Sequence, residues 1–138
     1  MRGQQAMKKV TTDITVRFSD IDAMGHVNNA VYLTYFEEGR KAFLGKAAGI
    51  VHPSDYPFIL ARTACDFVKP IRLEDRVALD IWISGIGTKS FTFKYELHDG
   101  DGAVYGRGES VMVMYDYGSG KTIQIPGGFL ERIMEYSE

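Results

Sequence analysis

From Asp13 to Ser19 the apolar residues Ile14, Val16 and Phe18 alternate with polar Thr15 and Arg17, the period-two pattern of a half-buried strand. The alternation stops at Ser19. Through Asn29 the chain collects Asp, Gly, His and two Asn without periodicity and reads as a loop. From Asn29 the spacing changes again. Tyr32, Phe36, Gly39 and Phe43 recur at helical intervals, while Glu37, Glu38, Arg40 and Lys41 lie away from that stripe. Asn28 or Asn29 suits the N-cap of this helix, and Gly45 or Gly49 suits its end. His52, Pro53 and Pro57 then form a connecting loop.

After Pro57 the pattern is almost wholly that of strands: Phe58–Val68, Arg76–Ile86, Ser90–His98 and Ala103–Tyr115. Turn signals divide them at Lys69-Pro70 with Glu74-Asp75, at Gly85 to Gly87, at Asp99-Gly100-Asp101-Gly102 and at Gly118-Ser119-Gly120. Three of these turns are short enough for hairpins, which implies an antiparallel meander. Phe129–Tyr136 reads as a short amphipathic helix. One strand, one long helix and about four long strands make an α+β chain. A single helix covers one face of such a sheet only if the sheet curls around it, and the outer face or the edges are left for a partner subunit.

Composition narrows the function. The 138 residues are an ordinary length for one domain, with residues 1–12 expected to be a flexible N-terminus and 13–138 a single folded unit. Sixteen basic against 18 acidic residues give a net charge of -2, which argues against nucleic acid as a partner because that affinity rests on clustered Lys and Arg. The apolar clusters Ala47–Val51 and Val111–Tyr115 are far too short to span a membrane. Nothing near Met1 has the charged and apolar regions of a signal peptide, and Cys65 is the single cysteine, so the expected location is cytoplasmic and reducing.

The candidate chemistry lies between Arg17 and Tyr32. Within ten residues the chain supplies Asp20, Asp22, His26, Asn28 and Asn29, and it runs directly into the start of the helix. The first-turn N–H groups of a helix point outward and its dipole favours negative charge there, so these amides suit a carbonyl oxygen that becomes an oxyanion. A nearby carboxylate serves as nucleophile or as general base for water, and a His orients it or assists proton transfer. Asp, Asn and Gly before a helix are also what capping and a tight turn require without any chemistry.

The string RFSDIDAMGHVNNAVYLTYFEEGR resembles the N-terminal signature of the hotdog-fold acyl-CoA thioesterases, the 4-hydroxybenzoyl-CoA thioesterase-like group. KPIRLEDRVALDIWISGIGTKSFTFKYEL and VMVMYDYGSGKTIQIP resemble later stretches of the same family in the same order, so the likeness spans roughly Ile14 to Pro126. The resemblance implies a hotdog fold, a long antiparallel β-sheet wrapped around one central α-helix running from Asn29 to about Lys46. It also implies active sites built where pairs of subunits meet, in a homodimer that pairs further into a homotetramer.

By the same resemblance Asp22, the second Asp of the signature, carries the chemistry, and the backbone amide of Asn29 polarises the thioester carbonyl. His26 matches a His that related plant acyl-carrier-protein thioesterases use. Those enzymes have an Asn where this chain has Met24, so the plant arrangement is incomplete here. Gly25 and Asn28 complete the substrate-binding part of the signature. The turn Gly85-Ile-Gly-Thr-Lys-Ser90 resembles the family's CoA-binding turn, in which Gly87 permits close approach, Thr88 lies beside the ligand, and Lys89 and Ser90 meet a phosphate. As a plain sequence it is also a glycine-rich hairpin with a solvated lysine.

The implied reaction is hydrolysis of an acyl-CoA to a free carboxylic acid and CoA, with no cofactor and no metal ligand set. His26, His52 and His98 lack zinc spacing, and no Gly-x-Ser-x-Gly elbow is present. Glu38 on the helix is a spare carboxylate, since some hotdog enzymes use a helix Glu. Asp20 fits a bracing role. Two other readings belong to the same fold: a non-catalytic acyl-CoA-binding protein, which gains nothing from Asp22, and a hydratase or dehydratase, whose His-containing segments are absent here.

Overall fold

The computed structural model describes residues 7–138. Its elements in chain order are β1 (Val10–Ile14), α1 (Asn29–Phe43), β2 (Phe58–Phe67), β3 (Val77–Ile86), β4 (Ser90–His98), β5 (Val104–Asp116), β6 (Lys121–Thr122) and α2 (Gly127–Met134). The five longer strands form an antiparallel sheet in the order β1-β3-β4-β5-β2, and β6 is a short addition to β5. The sheet curls around α1. The fold is therefore α+β, as the chain's pattern predicts.

Two expectations are corrected by the pairing. The first strand is not Asp13–Ser19 but Val10–Ile14, because its partner β3 begins at Val77 and the ladder runs from Val10 opposite Ile81 to Ile14 opposite Val77. Beyond Ile14 the alternation has no strand to pair with. Phe18, expected to be half-buried, is 83% exposed and belongs to a 3-10 turn, Phe18–Asp20, that buries Asp20 instead. The expected boundary of the flexible N-terminus after residue 12 accordingly falls inside β1, and Lys8 N–H already donates to Glu135 O at 3.1 Å. Residues 1–6 of that segment lie outside the described residues.

The second correction concerns β2. It is not the first strand of a simple meander. It pairs with β5, Phe58 opposite Met114 and Phe67 opposite Gly106, so the chain crosses from one side of the sheet to the other between β2 and β3. Only β3-β4-β5 form the meander. β2 is left as an edge, and Ile59, Leu60 and Phe67 on it and Val68 just beyond are exposed.

α1 buries Tyr32, Tyr35, Phe36, Gly39 and Phe43 against the inner face of the sheet. Phe36 stacks on Tyr95 with ring centroids 4.2 Å apart, and Phe43 meets Phe93 edge-on at 5.0 Å. Gly39 lies directly on Leu79, where any Cβ would overlap the leucine side chain. After Phe43 the helix does not continue evenly to Lys46. It widens into one π turn, Leu44–Ala48, closed by Gly49 in the left-handed region at φ 68°. The C-terminal helix also begins earlier than its apolar residues indicate, and Tyr136 packs on Phe43 just past its end.

Gly39→Ala is expected to destabilise the protein by about 1–3 kcal/mol through overpacking on Leu79. Gly45→Ala has open space around it and is expected to be neutral or stabilising by up to about 1 kcal/mol. Urea denaturation of the two variants measures both; equal effects would contradict the packing described.

Candidate active site

Asp20 shapes the loop that carries the site. Its side chain is buried, and it accepts hydrogen bonds from Arg17 N at 2.9 Å, from Arg17 Nε and Nη2 at 3.2 and 3.0 Å, and from the Tyr35 hydroxyl at 2.7 Å. Burial on its own raises this carboxyl, but the bonds from the Arg17 amide, the Tyr35 hydroxyl and the Arg17 guanidinium outweigh it and hold the group below its ordinary value. Tyr35 is pushed well up, first by burial and then by its bond to Asp20. The backbone of the same residue also positions the helix: Asp20 O accepts from Asn28 N at 2.9 Å.

Between Asp20 and Asn28 the chain closes on itself. Ile21 and Val27 form an isolated antiparallel bridge, Asp22 N–H donates to His26 O at 2.7 Å, and Gly25 N–H donates to Asp22 O at 3.0 Å. Gly25 sits at φ 81°, a conformation that glycine adopts without steric cost and that lets the loop reverse there. Val27 N–H donates to Ile71 O at 2.8 Å and fixes the loop to the β2–β3 crossover. Asn28 is the N-cap, its side-chain oxygen accepting from Ala30 N at 2.9 Å.

The loop orients the Asp22 carboxylate. Oδ1 accepts from Met24 N at 2.9 Å and from His26 N at 3.2 Å. Oδ2 has no donor among the described residues. The Val31 amide is bonded to Asn28 O and the Ala30 amide to Asn28 Oδ1, so Asn29 N–H is the first-turn amide without an acceptor among the described residues. Asp22, His26, Asn28 and Asn29 line one cavity of about 270 Å³, which Tyr32, Phe67, Lys69 and Pro70 help to close. Tyr32 donates to Lys69 O at 3.0 Å, and burial pushes its hydroxyl up to about 12. Asp22, with one carboxylate oxygen that has no donor, and Asn29, with a helix-start amide that has no acceptor among the described residues, thus line one cavity.

The structure brings Asp22, His26, Asn28 and Asn29 together with Gly25 between them. It does not bring Gly87, Thr88, Lys89 and Ser90 to this cavity within one chain. That turn is bonded at its base, Gly87 N to Ser90 O at 2.7 Å, and it carries the strand ends beside it: Thr88 O accepts from Ile125 N at 2.9 Å and Lys89 O from Met114 N at 2.8 Å. Glu37 and Glu38 are exposed on α1, away from the Asp22 cavity. Phe67 escaped the sequence reading, because an exposed aromatic at a strand end carries no signal of its own. Arg40 was misplaced by it. Its side chain is only 12% exposed, drawn inward to the Tyr95 hydroxyl at 3.1 Å. Among the described residues no group of three or more His, Cys, Asp or Glu is placed to hold a metal ion, and no helix is long and apolar enough to cross a membrane.

A curled antiparallel sheet around one central helix, with a cavity lined by Asp22 and the residues of the helix start, is the architecture of a hotdog-fold thioesterase. The chain belongs to the thioesterase-like superfamily, whose family model matches residues 16–133. Its fold is similar to that of a predicted thioesterase from Bacillus stearothermophilus, at 27% identity and a TM-score of 0.87 over 95% of this chain and 98% of that one. It is also similar to a thioesterase from Thermus thermophilus complexed with coenzyme A and Zn, at 30% identity and a TM-score of 0.81 over 89% and 90% of the two chains. In sequence it is 29% identical over 100 residues to the chloroplastic acyl-acyl carrier protein thioesterase ATL3 of Arabidopsis thaliana, covering 69% of this chain and 52% of that protein.

The Asp20 network generates a stability prediction. Because the folded carboxyl lies below its ordinary value of 3.8, its contribution is complete above that pH and is lost as pH falls through the folded value. Tyr35→Phe removes a bond to a buried carboxylate. It is expected to cost about 1.5–3 kcal/mol and to move acid unfolding to higher pH, as followed by circular dichroism. Unchanged stability and an unchanged acid midpoint would contradict the network.

Proposed function

We propose that this thioesterase hydrolyses acyl-CoA thioesters to the free acid and CoA, with Asp22 and the Asn29 amide as its working groups. The observation that carries the reading is the pairing of a free carboxylate oxygen with an unbonded helix-start N–H over one cavity. The substrate's carbonyl oxygen accepts from Asn29 N–H, and charge that develops on it is stabilised by that amide and the helix dipole. Asp22 Oδ2 then attacks the carbonyl carbon, the C–S bond breaks and the CoA thiolate leaves a mixed anhydride, which water hydrolyses. The same oxygen acting as general base on a water reaches the same products in one addition. His26, lining the chamber, orients the water or carries its proton. Both routes consume one water and use no metal or cofactor.

CoA binding draws on a second copy of the chain. The Gly87–Ser90 turn lies at the Phe58 end of β2, since Phe91 pairs with Met112 and Met112 with Leu60, whereas the Asp22 cavity lies at the Phe67 end. Antiparallel pairing of two β2 edges reverses these ends and carries one copy's turn toward the other copy's cavity. There Lys89 and Ser90 meet phosphate and Gly87 and Thr88 run along the ligand. Such pairing also covers the exposed edge with its Ile59, Leu60 and Phe67. The protein is accordingly a homodimer or a pair of such dimers, which light scattering against the 15.5 kDa chain measures.

Thiol release from a panel of short, medium, long and aryl acyl-CoAs tests the reaction. Native protein is expected to hydrolyse at least one of them, and Asp22→Asn to lose about a hundredfold or more in kcat. An inert native protein that a CoA thioether still stabilises against heat would make this a binding protein instead. Activity that survives in Asp22→Asn would move the chemistry to another residue.

A further inference from the structure

The apolar side chains that line the Asp22 cavity include Val27, Tyr32 and Phe67, and they are held very differently. Val27 and Tyr32 are each 2% exposed. Both are tied in place, Val27 by its amide to Ile71 O at 2.8 Å and Tyr32 by its hydroxyl to Lys69 O at 3.0 Å. The Tyr32 ring fills the room that Gly106 leaves on β5. Phe67 stands opposite Gly106 in the ladder and meets Tyr32 edge-on, with ring centroids 5.0 Å apart. Its backbone is anchored, since the next two amides, Val68 and Lys69, donate to Tyr105 O at 2.9 and 3.0 Å. The Phe67 ring itself is 48% exposed and adds little to the core of its own chain. It is a fixed apolar wall of the cavity that holds the reacting groups.

The size of the cavity limits what it takes. A volume of about 270 Å³ corresponds to roughly nine water-sized groups at about 30 Å³ each. The thioester carbon, oxygen and sulfur occupy part of that space and leave room for about six more heavy atoms. In the proposed dimer the β2 edge is covered, so the Phe67 ring stands between the cavity and the other copy, and a longer chain runs into it. Resting on the thioesterase reading above, we propose that Phe67 sets the length limit of the acyl group, so that the preferred substrates are short acyl-CoAs of up to about six carbons. A smaller side chain at this position extends the cavity by the volume of the ring. The extension runs toward Cys65, two residues back on the same face of β2 and packed against the core.

The test measures kcat/KM for acetyl-, butyryl-, hexanoyl-, decanoyl- and hexadecanoyl-CoA in native protein, Phe67→Ala and Phe67→Trp. Native protein is expected to handle hexanoyl-CoA or a shorter substrate best and decanoyl-CoA about tenfold or more less efficiently, the scale on which an apolar pocket rejects excess methylenes. Phe67→Ala is expected to raise the decanoyl-to-hexanoyl ratio about tenfold, and Phe67→Trp to lower the hexanoyl-to-acetyl ratio. Either variant alone decides if the other does not fold. A ring that served packing only would lower every substrate alike and leave these ratios unmoved, which would overturn the proposal. Thermal stabilisation by S-hexyl- against S-decyl-CoA, thioethers that cannot be hydrolysed, reads the same limit without chemistry. A preference for the hexyl thioether that Phe67→Ala loses, in a protein that hydrolyses nothing, would remove the thioesterase reading and keep this one. Asp22-dependent hydrolysis that favours decanoyl- or hexadecanoyl-CoA in native protein would overturn this one and keep the thioesterase reading. Absence of both hydrolysis and stabilisation would overturn both.

Discussion

The site depends on one buried carboxylate. Asp20 ties three parts of the chain together: the segment that follows the first strand through Arg17, the second turn of the helix through Tyr35, and the helix start through its own carbonyl and Asn28. A charged group in so little water is tolerated only when each lone pair finds a donor, and here the donors come from the elements that must be held in register. The neighbouring Asp22 then needs no bracing from outside. Its Oδ1 is fixed by two amides of its own loop, and the second oxygen, which has no donor among the described residues, is the one the proposed mechanism uses. Two aspartates two residues apart thus stand in opposite surroundings, one buried among donors and the other lining a cavity.

The sheet sets the distance over which this matters. Gly39 lets α1 lie directly on β3, and Gly106 and Gly108 leave room on β5 for the Tyr32 and Phe36 rings. With the helix seated that closely, its N-terminus stands beside the Phe67 end of the exposed β2 edge. In the proposed dimer a second copy covers that edge, reverses the ends of β2 and brings the Gly87–Ser90 turn toward the Asp22 cavity.

Much of this was legible in the residue pattern. The central helix was marked by Tyr32, Phe36, Gly39 and Phe43 and by its Asn28 cap, and the four later long strands by the turn residues that divide them. The resemblance in the Asp20–Asn29 string located the loop that the structure folds over the cavity. What the pattern could not carry was pairing. Ile14, Val16 and Phe18 alternate correctly, yet β3 ends the ladder at Ile14 and Phe18 turns outward. β2 looks like its neighbours along the chain, but only long-range pairing with β5 makes it an edge. Arg40 reads as a surface charge because periodicity places Cβ atoms and not the ends of long side chains. It is the inward reach of that side chain to Tyr95 that brings it under the sheet.

The central claim is that the thioester carbonyl sits over the start of α1, between Asn29 N–H and Asp22. A crystal structure of Asp22→Asn with an intact acyl-CoA tests it most directly. The account predicts the carbonyl oxygen within hydrogen-bonding distance of Asn29 N, with the carbonyl carbon facing the side chain at position 22. A thioester bound with its carbonyl away from the helix start, or lodged elsewhere on the sheet, would contradict it.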